Sequence, residues 1–408
     1  MRTLLACLFL PLGLGLGCGI DPAKIPDHAL YADDGQMLEA PGAITFAVLG
    51  NSRDIVPGLD RTAGRFGHGA EVATQILTDI HAAAQTPAGP TFAVLMGDTV
   101  GAGSVSEWRA FDERHSILLE GATVAPLPGM RIPGVPVAGT REAAGDERFF
   151  GLEGAWPGVG ATIGYNRVAT WYAFDVKTQG KTWRFLVLDG GKARLGSRWQ
   201  EEKAWIPKAV AGKYEGLIIF MHDPEVDLGG KQLVMNVDGG PHELLETVED
   251  ATDLSRIRMV FGAGSYTNQA LLPDGPFGAM HINAGGGGGP AEDLKRWGAG
   301  EASGRKGDIH LETTYDLALL AAMDRWNRNA SIPDVVIDEA KARGAFTGFI
   351  GTYAGQHFPT YGWWKVSVAG QYVEVDYRLR LPDGSFVDLY RANFSEKEGW
   401  KASRPSAP

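Results

Sequence analysis

The tightest restriction on the fold comes from a run that repeats. In ITFAVLGNSRD (Ile44 to Asp54) apolar, β-favouring residues run into a glycine and then switch to Asn51, Ser52, Arg53 and Asp54. A buried strand that delivers polar side chains at its carboxyl end reads this way. Open α/β sheets place their sites at such ends. The design recurs in TFAVLMGDTV (Thr91 to Val100), GVPVAGTRE (Gly134 to Glu142), WRFLVLDGG (Trp183 to Gly191), LIIFMHDPE (Leu217 to Glu225) and IRMVFGAGSYTN (Ile257 to Asn268), so six strand ends make one shared edge. Between them, Glu71 to Ala84 sets Val72, Ile76, Leu77 and Ile80 at helical spacing, and Val105 to Leu118 and Arg198 to Val210 show the same period. Strand and helix in alternation predict right-handed crossovers and a mainly parallel sheet.

The later chain departs from this plan. A five-glycine run, Gly285 to Gly289, follows the apolar stretch Phe277 to Ile282. Without the lysine of a P-loop it reads as a flexible turn rather than a phosphate cradle. Residues 297–361 break the repeat with a polar loop, helical stretches over Thr314 to Trp326 and Pro333 to Ala342, and a Gly/aromatic loop ending in His357, and are read as an insertion on the main domain. The stretch from Trp363 to Arg391 alternates in a β manner, with Asp383-Gly384 as a hairpin turn. These strands complete a second sheet.

Composition serves mainly to exclude. With 44% hydrophobic residues the chain buries an ordinary globular core. A net charge of −11 without a basic block argues against nucleic acid as a partner. The first residues, MRTLLACLFLPLGLGLGCGID, form an export signal whose apolar run is short and Gly-rich for a membrane span. Both cysteines, Cys7 and Cys18, lie in it, and Cys18 after Leu16-Gly17 reads as a bacterial lipoprotein cleavage site. The expectation is a lipid-anchored protein of the bacterial envelope, at the outer membrane or periplasm of a Gram-negative host, with simple secretion as the alternative. Residues 1–18 are then the signal, 19–42 a polar tether, 43–395 the domain and 396–408 a tail.

The order of the strand ends resembles the calcineurin-like metallophosphoesterases, whose motifs read GDxH, GDxx, GNH(D/E), a lone His and GHxH. In this chain the frame reads Gly50-Asn51-Ser52-Arg53, Gly97-Asp98-Thr99-Val100, Gly139-Thr140-Arg141-Glu142, His222, and Gly264-Ser265-Tyr266-Thr267 or Gly262-Ala263-Gly264-Ser265. The resemblance spans about Ile44 to Gly289. It implies an α/β fold of the metallophosphoesterase-like αββα type, two mixed β-sheets flanked by helices, and a two-metal site that activates a hydroxide against phosphorus.

The ligands themselves are mostly replaced. Asp98 stands as the bridging carboxylate and His222 as the lone His; Asn51 replaces an Asp, Arg53 a His, and Thr140-Arg141 the Asn-His pair. A guanidinium stays charged and has no lone pair for a metal. The resemblance therefore implies no cofactor firmly, with a single divalent metal at Asn51, Asp98 and His222 as the alternative. Two accounts of the substitutions stand side by side. In one the site has decayed, Arg53 and Arg141 pairing with Asp54, Asp98 or Glu142. In the other the two arginines carry the lost metal charge and hold a phosphate-containing or other anionic ligand. For activity the readings are a catalytically impaired binder of an anion or partner, or an active phosphoesterase with a reduced site that uses Asp98, His222 and Glu142. A third is an interaction scaffold built on the insertion. His68 and His357 read as surface histidines, Asp189-Gly190-Gly191 as a turn with no ligand role, and Trp363-Trp364 as core and surface partners. No GxSxG nucleophile motif is present.

Overall fold

The computed structural model describes residues 38–40, 42–53, 69–101, 107, 134–141, 170–223, 240–264, 268–273, 278–288, 347–350, 353–358, 361–380 and 384–403. The signal, most of the tether, the Val105 to Leu118 helix apart from Glu107, and both helices expected in the insertion lie outside these residues.

Two sheets divide the repeated strands between them. The first is ordered β16-β15-β14-β13-β2-β3-β4, with β2 (Ile44–Leu49), β3 (Phe92–Leu95) and β4 (Gly134–Pro136) parallel. Its remaining strands, β13 (Gly362–Ala369), β14 (Tyr372–Arg380), β15 (Phe386–Ser395) and β16 (Gly399–Ser403), are antiparallel. The second sheet is ordered β1-β5-β6-β7-β8-β10-β9-β12-β11. Here β6 (Lys181–Leu188), β7 (Gly216–Met221), β8 (Ile257–Gly262) and β10 (Met280–Ala284) run parallel. The flanks are β1 (Leu38–Ala40) and β5 (Tyr172–Thr178) on one side, and β9 (Asn268–Pro273), β12 (Tyr353–Phe358) and β11 (Thr347–Ile350) on the other. Both sheets are mixed, whereas local alternation alone pointed to one mainly parallel sheet. Helical crossovers enforce parallel pairing only between the strands they join, and the hairpin-linked strands add on antiparallel.

Phenylalanines fill the space between the sheets. Phe46 stacks on Phe92 at 5.2 Å between ring centroids, and Phe185, Phe220 and Phe261 continue the row from the facing sheet. Phe46 meets Phe185 edge to face at 5.2 Å. Each fully buried ring stabilises the sandwich by about 1.5–3 kcal/mol. Every residue of β2 is buried, which explains why its sequence is continuously apolar rather than alternating.

Helices close the outer faces. α1 (Gly69–Ala84) buries Val72, Ile76, Leu77 and Ile80 and lies over the seven-stranded sheet, where Asp79 accepts from Trp363 Nε1 at 2.8 Å and from Arg378 Nε at 3.0 Å. α2 (Lys192–Leu195), α3 (Arg198–Ala209) and α4 (Pro241–Ala251) cover the other sheet; Trp199, Trp205, Leu244 and Val248 pack on Leu186, Ile219 and Met221. Trp363 and Trp364 are both fully buried, on opposite faces of β13, so neither is a surface residue. Their indole N–H groups end on Asp79 and, at 3.1 Å, on Asn268 Oδ1.

Two other parts of the sequence take forms that composition did not suggest. The Gly/aromatic stretch before 361 contains the β11–β12 hairpin, which joins the nine-stranded sheet through β9 and brings His357 opposite Gln269. The glycine run is packed: Gly285 to Gly288 are buried, and Gly287 N donates to Gly50 O at 2.8 Å. A Cβ on Gly287 would stand 2.3 Å from that oxygen, and Gly288, at φ +119°, lies against the backbone of Ala73. Close approach, not flexibility, is what these glycines supply.

Candidate functional site

The parallel strands of both sheets end at one place. Past β2 and β3 the chains stay bonded: Met96 N donates to Leu49 O at 2.8 Å, Asn51 N to Gly97 O at 2.9 Å, and Arg53 N to Asp98 O at 3.1 Å. Gly50 N donates to Ala284 O at 2.8 Å, which ties the end of β2 to the end of β10 in the opposite sheet. Gly97, at φ +84°, has no room for a side chain: a Cβ would lie 2.6 Å from Gly139 Cα and 2.7 Å from His222 Nδ1. The ends of β3, β4 and β7 close on this glycine.

Asn51 and Asp98 adopt left-handed backbone conformations, with φ of 53° and 48°. Asn and Asp tolerate this region better than other residues with a Cβ, but it still costs energy that the surroundings must supply. Two such residues side by side at a shared strand edge mark the site independently of any motif.

Asn51 is a clamp. Its Nδ2 donates to the backbone carbonyls of Ala263 and, at 3.3 Å, Gly285. Carbonyls only accept, so the amide orientation is fixed by its partners. A carboxylate at this position would set oxygen against two carbonyl oxygens.

Asp98 and His222 face each other in a buried pocket. His222 Nδ1 lies 2.7 Å from Met96 O, a pure acceptor, so Nδ1 carries a hydrogen and Nε2 is directed at Asp98 Oδ1, 3.6 Å away. The same Asp98 oxygen accepts from Arg141 N at 2.9 Å. The Arg141 side chain is half-buried and makes no hydrogen bond or ion pair with a described residue. Arg53 is buried to 1% exposure at the same edge and is engaged by other groups. Glu142, Asp54 and His68 lie outside the described residues. His357 stands on β12, at the far flank of the nine-stranded sheet.

These donors do not fit a two-metal centre. His222 Nε2 and the Asp98 carboxylate are two donors, and Asn51, with its Nδ2 committed to carbonyls, has only its Oδ1 to offer a metal. Among the described residues no three His, Cys, Asp or Glu side chains gather as ligands. Three such donors are few to divide between two ions.

The turn after β6 holds a group that sequence reasoning passed over. Asp189 is fully buried; its Oδ1 accepts from Gly191 N at 2.9 Å and from Arg194 Nη2 at 2.8 Å. Arg194 Nη1 lies 3.6 Å from Asp223 Oδ2, beside His222. Burial works against the Arg194 charge, but Asp189, Asp223 and Asp98 together raise its pKa above the usual arginine value. Gly191 makes room for the guanidinium, since a Cβ there would stand 2.1 Å from Arg194 Cζ. The paired glycines after Asp189 were the available signal: Gly191 accommodates Arg194, and a Cβ on Gly190 would meet Asp223 and Pro241.

No known family's sequence profile matches this chain, and no curated protein matches its sequence. Solved structures do. The structure of PhoD matches with a TM-score of 0.51 and 10% identity, over 91% of this chain and 74% of that one. A purple acid phosphatase, PPD1, from yellow lupin (Lupinus luteus) seeds matches at 13% identity and a TM-score of 0.45 over 87% of this chain. This chain spans only 54% of that phosphatase's length. GAP50, described as the anchor in the inner membrane complex of Plasmodium, matches at 13% identity and 0.45, covering 85% of this chain and 89% of its own. What the likeness to PhoD establishes is architecture: two mixed sheets with helices outside, a metallophosphoesterase-type α/β fold.

Proposed function

We propose that this protein uses a metallophosphoesterase-type scaffold to bind a small anion, phosphate or a phosphate ester, at the shared strand edge, with guanidinium charge in place of metal charge. The observation that carries this reading is Arg141: its backbone N–H holds Asp98 while its half-buried side chain makes no ion pair with a described residue. Arg53, buried at the same edge, adds a second charge that cannot be neutralised by deprotonation. Such a pocket keeps the sign a phosphate requires and lacks the means to generate a metal-bound hydroxide. Arg141 is expected to contribute about 1.5–3 kcal/mol to a charge-assisted contact, so Arg141→Ala weakens phosphate roughly tenfold or more. Calorimetric titration of inorganic phosphate into both proteins measures this. Equal affinities, or no binding by the wild type, would leave the pocket as a decayed site.

The His222–Asp98 pair favours a second reading. With Nε2 turned to a buried carboxylate it has the makings of an acid–base couple, and a weak phosphoesterase would use it. Turnover of p-nitrophenyl phosphate that disappears in His222→Ala would establish that activity.

The lipid anchor is part of the same proposal and rests on Leu16-Gly17-Cys18 alone. Cys18→Ser is expected to release the protein from the membrane fraction or stall its processing. Unchanged fractionation and size would remove the anchor from the account.

A further inference from the structure

Behind the strand edge, a pair of buried acids has more negative charge than its surroundings offset. Glu202 of α3 and Asp189 at the end of β6 are both fully buried. Glu202 Oε1 accepts from the backbone N–H of Asp189 itself at 2.8 Å, so the two carboxyl groups share one turn. Asp189 Oδ1 is satisfied by Gly191 N and Arg194 Nη2. The second oxygen of each acid, Glu202 Oε2 and Asp189 Oδ2, has no hydrogen-bond partner among the described residues. Two carboxylates would leave two lone-pair-bearing oxygens buried, anionic and unmatched, an arrangement that a low-dielectric interior strongly disfavours. A single proton on one of them removes one of the two charges.

The charged groups around the pair are few. Arg194, on α2, is shared between Asp189 and Asp223, the latter at the end of β7. Arg198, on α3, stacks over the Trp171 ring at 4.8 Å. Lys192 and Lys203 are engaged on the outer side by Glu243 of α4. Among the described residues, two guanidiniums therefore face Asp189, Glu202, Asp223 and, through Arg194, Asp98. Burial first, and then the neighbouring Asp189 charge, push the Glu202 carboxyl well above the usual range; burial also raises Asp189, with Arg194 opposing it.

We propose that Glu202 and Asp189 share a single proton, Glu202 Oε2 donating to Asp189 Oδ2, and that this proton latches the turn that carries Arg194 beside the strand-edge site. The proton belongs to Glu202, because Asp189 already accepts two hydrogen bonds on Oδ1 and pairs with Arg194. Losing it would place a second negative charge in the turn and set Glu202 against Asp189 for Arg194. The latch is thus closed at acid and neutral pH and opens as pH rises through the raised Glu202 value. The unfolded chain, with Glu202 at its ordinary pKa, gives the proton up earlier. Folding binds this proton across the window between the two values, so stability falls with rising pH there.

Infrared spectroscopy of the intact protein tests the proposal. The wild type is expected to show the carbonyl stretch of a protonated carboxylic acid at neutral pH, to lose it on alkaline titration, and to lack it in Glu202→Gln. That variant keeps a donor toward Asp189 without a titratable proton. Urea unfolding of the two proteins gives the companion result: relative to Glu202→Gln, the wild-type unfolding constant rises roughly tenfold per pH unit within the window. A wild-type spectrum without a protonated-acid band at neutral pH overturns the proposal by itself, even if the variant fails to fold. So do parallel pH–stability curves.

Discussion

At the scale of single residues, Asn51 decides what kind of site this is. The resemblance to phosphoesterases puts an Asp there, and the chain instead has an amide whose Nδ2 joins the end of β2 to the carbonyls of Ala263 and Gly285. Asn51→Asp replaces a donor by an acceptor while leaving both carbonyls buried, and is expected to cost about 1–3 kcal/mol of stability. Urea denaturation at neutral pH checks this. A variant as stable as the wild type would show that the clamp contributes little, and one that gains stability when Mn²⁺ is added would show that the position can serve as a metal ligand. Asp98 and His222 stood out in the sequence because each follows an apolar strand, and the structure sets them 3.6 Å apart. Glu202 and Arg194 were not legible: one looks like an ordinary exposed helix acid and the other like a surface base. Only the turn between β6 and α2 reveals that both are drawn inward.

The elements were readable wherever one face or both were buried. β2, β3, β7 and β8 are each buried along their full length, and apart from Thr45 and Arg258 their residues are apolar or glycine. α1 and α3 fall within two residues of the limits set by their helical spacing. Harder to read were the elements whose identity depends on a distant partner. The hairpin β11–β12 contains glycines and polar residues and forms strands because β9 offers an edge to pair with. Glycines 285–288 looked like slack chain, since the sequence does not show that Gly50 and Ala73 press against them. The division of six similar strands into two sheets is also a long-range property. Nothing in the strands themselves distinguishes β4, which ends one sheet's parallel set, from β6, which begins the other's.

For the whole molecule, the phenylalanine layer between two mixed sheets is what holds the two sheets together. Phe46, Phe92, Phe185, Phe220 and Phe261 interlock between the sheets, and the layer runs up to the strand ends, Phe220 standing two residues before His222. The strand edge holds Arg53 and Arg141 beside Asp98, and among the described residues no three His, Cys, Asp or Glu side chains gather there. In the function proposed above, protein guanidiniums rather than metal ions provide the positive charge for an anion. The most direct measurement is the affinity for inorganic phosphate, by calorimetry, of wild-type protein with and without a strong metal chelator. The same affinity is expected in both. Binding that vanishes with chelator and returns on adding Mn²⁺ or Zn²⁺ would contradict it.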